Sequence, residues 1–234
     1  AMILGSVWLT NKNELAPIIM TLQTQIMVDP KNMTSVIEEV GQLLQNPGVV
    51  AAIFFSLSIV TPLVEEFFKP LALWFFIKRG WSEAEGFSAG LVLGAAFALV
   101  ESVSAVAALP QESWSTLLVA RVGTGLLHTL TTGLTGWALV FAWKTGKYGR
   151  LGLVYLISMT LHGFWNFFAL VSGLGTNLDL FAQSSFAAFI SSAPWVLAVL
   201  FAGMLFMLFF MNRRIRLSSP QPPALPPLPT DTLG

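Results

Sequence analysis

Glu65, Glu66, Lys69, Glu101, Arg121, His128 and His162 lie within stretches otherwise apolar enough to cross a bilayer. A charge at the bilayer centre costs roughly 2.5–3.5 kcal/mol on insertion scales, so such side chains face a bundle interior and mark function. The chain has 2 histidines, and both belong to this set. Carboxylates beside imidazoles can activate water, relay protons or hold a metal ion. Spacing arranges the set further. Glu65 stands one helical turn before Lys69, an ion pair that leaves the neighbouring acid to act as general base or acid. Pro62, just ahead, frees backbone carbonyls and opens local space for water. Phe97 and Glu101 share a helix face, as do His162 and Asn166, and Arg121 lies two turns before His128 on roughly one face.

The elements that must position these groups are membrane helices. Hydrophobic residues make up 55% of the chain and charged ones 10%, with a mean hydropathy of +0.73, outside the soluble globular range. Five spans of about twenty or more residues follow: Val49 to Ile77, bent near Thr61-Pro62; Glu85 to Ala108; Trp114 to Trp143; Leu151 to Val171; and Phe186 to Met211. Gly86, Gly90, Gly94 and Ala98 on the second span, and Gly125, Gly133 and Gly136 on the third, permit close helix approach. The absence of cysteine excludes disulfides, thiolate metal sites and a cysteine nucleophile. A net charge of zero gives no reason to expect nucleic acid.

The expected fold is therefore all-α, a polytopic membrane bundle of about five transmembrane helices with a short outer N-terminal helix. Eight of the 12 Lys and Arg residues fall at alternate connections, in Lys78-Arg79, Lys144/Lys147/Arg150 and Arg213-Arg214/Arg216. The positive-inside rule puts those connections in the cytosol, with the C-terminus, and predicts a multi-pass protein of the cell membrane. Residues 1–47 form an outer segment carrying an amphipathic helix over Asn32 to Leu44, and the apolar Ala1 to Thr10, too short to span, reads as the remnant of an earlier span or the outer end of one. Residues 48–212 form the bundle. Residues 213–234 read as a basic, proline-rich disordered tail.

Taken in order, Glu65-Glu66-x-x-Lys69, Phe97-x-x-x-Glu101, His128 in an Arg-x6-His segment and His162-x-x-x-Asn166 resemble the motifs of the PrsW family of intramembrane proteases. That family is related to the CAAX-prenyl proteases and bacteriocin-processing enzymes, whose motifs read EExxxR, FxxxH and HxxxN/D. The resemblance covers about Val49 to Leu170. Ser102 stands where many such chains have asparagine, and Asn166 where many have aspartate.

The resemblance implies hydrolysis of a peptide bond in a membrane-anchored protein, a regulator such as an anti-sigma factor. It implies Glu65 or Glu66 as base, Glu101 and His162 completing the site, His128 binding metal or stabilising the oxyanion, and Asn166 donating to the oxyanion. Glu101, His128 and His162 offer ligand types suited to Zn²⁺, which in hydrolytic sites takes three protein ligands and keeps a position for water. A metal-free glutamate mechanism uses the same side chains. Two other classes compete: a proton-coupled transporter, which calls for internal repeats that the chain lacks, and a non-enzymatic scaffold of the same fold.

Overall fold

The first span is a jointed rod, because two prolines interrupt its hydrogen-bond ladder. In the computed structural model, which describes residues 41, 44–76, 80–107, 114–174 and 187–218, it opens as α1 (Pro47–Phe55), with the Asn46 side chain accepting from Gly48 N at 2.8 Å. A π-helical turn, Ser56–Val60, follows, in which Thr61 N–H reaches back to Ser56 O. Pro62 explains it: a residue without an N–H strips a donor from the preceding turn, and the wider turn absorbs the defect. Then come α2 (Thr61–Phe68) and α3 (Leu71–Phe76), separated at Lys69 and Pro70.

The remaining helices are long. They are α4 (Glu83–Ala107), α5 (Trp114–Thr145), α6 (Gly149–Leu174) and α7 (Ala187–Ser218). Among the described residues there is no strand. The outer helix expected over 32–44 lies almost wholly outside the described residues, as does the proline-rich segment from 219. Helix α7 runs on to Ser218, so Arg213, Arg214 and Arg216 ride its last turns, where the sequence predicts a tail beginning at 213.

Four of the five expected spans are long and apolar enough to cross a membrane: Pro47–Phe75, Glu83–Val106, Gly149–Gly173 and Ala187–Leu217. The fifth, α5, is 32 residues long but too polar to qualify on hydropathy. Burial explains the difference. Helix α5 is the axis of the bundle, with Leu127, His128, Thr131, Ala138, Leu139 and Ala142 all fully buried. A helix wrapped in protein can carry hydroxyls, provided they are satisfied. Thr129 Oγ1 and Thr135 Oγ1 donate to the carbonyls four residues back, at 2.7 and 2.9 Å. The outer surface is the reverse: Trp195, Val199, Phe206 and Phe209 on α7 are all more than two-thirds exposed, as a lipid-facing wall requires.

Helices α4 and α5 approach until backbone meets backbone. A Cβ on Gly90 would strike Thr132 O, one on Gly94 would strike His128 O, and one on Gly136 would strike Gly86 O. At the basic end, the Arg150 guanidinium lies 3.3 Å from the Trp137 ring centroid and 3.6 Å from Glu83, tying α6 to α5 and α4.

Candidate active site

Four elements deliver the site. Helix α2 brings Glu65 and Glu66, with Lys69 at its C-cap; α4 brings Phe97, Glu101 and Ser102; α5 brings Arg121 and His128; α6 brings His162 and Asn166. Glu66, Lys69, His128 and His162 are 5% exposed or less. Burying charges at that depth is tolerable only when each is paired and hydrogen-bonded.

The pairing is complete at the centre. Glu66 Oε1 accepts from Lys69 Nζ and from His162 Nδ1, each at 2.8 Å. Lys69 Nζ also lies 3.3 Å from Glu65 Oε2 and 2.7 Å from His128 Nδ1, and 4.6 Å from the Phe97 ring centroid. The lysine expected to pair with Glu65 is therefore shared between both acids and a histidine. His128 Nε2 lies 2.8 Å from Glu101 Oε2, which also accepts from Arg121 Nη2. Arg121 Nε donates to Ser102 Oγ at 3.1 Å, so the residue that departs from the common family pattern still serves as a hydrogen-bond partner. The two imidazole rings meet edge to face, 5.0 Å between centroids.

Proton positions follow from the inventory. An ammonium only donates and a carboxylate only accepts. His128 Nδ1 therefore accepts from Lys69, and its Nε2–H donates to Glu101. His162 Nδ1–H donates to Glu66, which leaves the Nε2 lone pair facing inward, 4.0 Å from Glu65 Oε2. That Glu65 oxygen is buried, and its contact with Lys69 is an ion pair at 3.3 Å rather than a hydrogen bond.

Glu65, Glu66, Glu101, His128 and His162 are thus brought into one connected cluster. Asn166 is not aimed at it: its Nδ2 donates to Leu57 O at 2.8 Å. The reason is local. Leu57 lies in the π turn, and five residues on stands Pro62, with no N–H to give. The amide expected at an oxyanion is spent on that carbonyl. The grouping of metal-ligand types differs too. Ligand atoms of Glu65, His128 and His162 lie within 4.8 Å of one another, whereas the expected third ligand, Glu101, sits behind His128 and buttresses it. Sequence reasoning paired Lys69 with Glu65 alone and gave Arg121 no partner. Charge balance is the signal that could have found the other contacts, because three buried or half-buried carboxylates need cations nearby.

The donor set is of the kind that holds a metal ion. Zn²⁺ accepts two imidazoles and a carboxylate at about 2.0–2.2 Å, and structural convention has each ligating histidine give its other N–H to a carboxylate. His162 meets that pattern through Glu66, and His128 through Glu101. Glu65 Oε2 and the inward His162 Nε2 face one space. The residue types fit, with Lys69 Nζ the group that would have to leave His128 Nδ1 and Glu65 Oε2.

Carboxylates and imidazoles converge inside an apolar helix bundle, the groups that hydrolysis within a membrane requires. The family model for the PrsW family intramembrane metalloproteases matches residues 18–211, and the chain belongs to that family. It is accordingly an enzyme, an intramembrane protease. No curated protein and no solved structure matches the chain.

Proposed function

We propose that the protein cleaves a membrane-anchored regulatory protein, of the anti-sigma-factor kind, with Glu65 as the group that takes the proton from water. The observation that carries the assignment is Glu65 Oε2: buried, without a hydrogen bond, ion-paired to Lys69 at 3.3 Å, and 4.0 Å from the inward nitrogen of His162. Glu66, by contrast, is committed to His162 and Lys69 and holds the imidazole in one tautomer and one orientation. Glu101 does the same for His128, and Arg121 compensates the charge of Glu101. Asn166 acts on the backbone that carries α2.

Glu65, His128 and His162 would hold the metal, for which we propose Zn²⁺, and the ion when bound supplies a Lewis acid for water and the scissile carbonyl. A carboxylate has two oxygens, so holding an ion and accepting a proton are compatible at Glu65. A largely apolar cleft between the first span and α6 is walled by Phe54, Ile59, Met159, Phe164 and Phe167 and reaches Gly163, while the buried acids and histidines stand outside its lining.

The deciding experiment measures cleavage of membrane-anchored candidate substrates by purified wild type, Glu65→Gln and Glu66→Gln. Loss of roughly two orders of magnitude in Glu65→Gln is expected for a missing general base. A wild-type rate in Glu65→Gln would sink the assignment, whatever Glu66→Gln does.

We further propose that the protein lies in the cell membrane with α7 ending in the cytosol, on the strength of the basic clusters. Because the chain has no cysteine, single cysteines at positions 144 and 112 report topology cleanly. The first should label only from the cytosol and the second only from outside; labelling from one common side contradicts the orientation.

A further inference from the structure

Lys69 occupies the place in the site where a cation is wanted. Its side chain is 1% exposed. Its ammonium has three hydrogens to donate, and three groups lie around it: Glu66 Oε1 at 2.8 Å, His128 Nδ1 at 2.7 Å and Glu65 Oε2 at 3.3 Å. Two of those three residues belong to the group suited to hold a metal ion. The decisive contact is with His128. Its Nε2 is held by Glu101, so Nδ1 is the one ring position left for a metal, and Lys69 covers it. A lone pair cannot serve an N–H donor and a metal together. A divalent ion placed within a few ångströms of an ammonium also meets strong repulsion in a low-dielectric interior.

We propose that Lys69 is a tethered cation that fills the metal site when no ion is bound, so that ammonium and metal exclude each other at His128 and Glu65. The arrangement solves a folding problem. Three carboxylates and two histidines brought together from four elements would repel and desolvate one another without an internal cation, and Lys69 supplies one from the same helix as two of the acids. Loading the ion then requires Lys69 to release His128 and Glu65 while Glu66 can keep its hold. Metal affinity is set by this exchange as well as by the ligands.

The inference rests on the reading of Glu65, His128 and His162 as metal donors, and its test separates the two. Zinc affinity and thermal stability are measured on the full chain in detergent for wild type, Lys69→Met, Lys69→Gln and Lys69→Arg. The neutral variants should bind zinc about 10- to 100-fold more tightly than wild type, the range set by one charge-assisted hydrogen bond. They should also melt lower than wild type in chelator and regain that loss with zinc, while Lys69→Arg should bind no more tightly than wild type. A neutral variant that zinc stabilises no more than it stabilises wild type overturns the exchange, including one that is recovered unfolded and stays so with zinc. Equal, measurable zinc affinities in all four proteins would remove the exchange and leave the metal site standing. No zinc binding in any of them, by titration or metal analysis, would remove both.

Discussion

The two seams that build the site both use glycine against backbone but differ in the continuity of their helices. Between α4 and α5, glycines let the backbones touch, as at Gly90 against Thr132 O and Gly94 against His128 O, and both helices run unbroken through the contact. Between the first span and α6, the helix is interrupted by a π turn and by Pro70, and polar side chains close the gaps. Asn166 donates to Leu57 O at 2.8 Å and Tyr155 to Leu63 O at 2.9 Å, while Gly163 makes room for Ser58 O. The first seam carries Glu101, Arg121 and His128 on a stiff platform. The second carries Glu65, Glu66 and His162 on a jointed one. A hydrolase that must admit water and an unwound peptide has reason to keep one half of its site fixed and the other adjustable, since hydrogen bonds to freed carbonyls break at lower cost than packed backbone.

That contrast is open to attack from both sides. The largest effect belongs to the stiff seam. Gly94→Leu would drive its Cβ into His128 O, with Thr129 Cα next to it, and backbone on both sides cannot yield. A loss of more than about 3 kcal/mol is expected, beyond the usual cost of overpacking, seen as failure to recover a monodisperse, thermally cooperative protein. A variant as stable as wild type would mean that the glycine stripe does not set the approach. Next comes Glu66→Gln, which keeps the shape but takes the negative charge from a carboxylate held by two donors. Activity should fall by about 100-fold while the melting temperature shifts far less than activity, the mark of an organising group rather than a packing one.

For the bonds that close the jointed seam away from the carboxylates, the losses should be smaller and graded. Asn166→Ala leaves a part-buried carbonyl without its donor and should cost about 1–3 kcal/mol. If Asn166 positions α2 rather than touching the reacting atoms, kcat should fall about tenfold with KM little changed, within what a displacement near 1 Å can do. Zinc stoichiometry should be retained. A drop of several orders of magnitude with unchanged stability would restore it to the oxyanion. Tyr155→Phe removes one bond from a more exposed position, and about 1 kcal/mol or less in thermal unfolding is the expected outcome. Equal damage from Tyr155→Phe and Gly94→Leu would erase the distinction between the seams.

Much of this architecture was legible in the residues alone. Hydropathy determined that the chain is a membrane helix bundle and nearly where its spans lie, because lipid demands long apolar helices whatever the packing. The order of the motifs led to the family. The rarity of charge in lipid singled out Glu65, Glu66, Lys69, Glu101, Arg121, His128 and His162 before any contact was known. Even the broken first span was announced by Pro62. Hydropathy was least informative at α5, whose threonines, glycines, arginine and histidine are affordable because protein, not lipid, surrounds it.

Which of those groups meet was decided only by the tertiary structure. Periodicity places a side chain on a face of its own helix but says nothing of how that helix is turned against its neighbours. One residue added to a turn rotates all that follows by about 100°, and the π turn at Ser56–Val60 is such an addition, set two turns ahead of Glu65 and Glu66. The same turn frees the carbonyl that captures Asn166. Lys69, paired by spacing with Glu65, serves Glu66 and His128 as well, because α5 is drawn close by glycines on another helix. Glu101 becomes the support of His128, and Glu65 takes the position beside both histidines, for the same reason: rotation and depth are properties of packed pairs of helices, and a linear pattern holds information on one helix at a time.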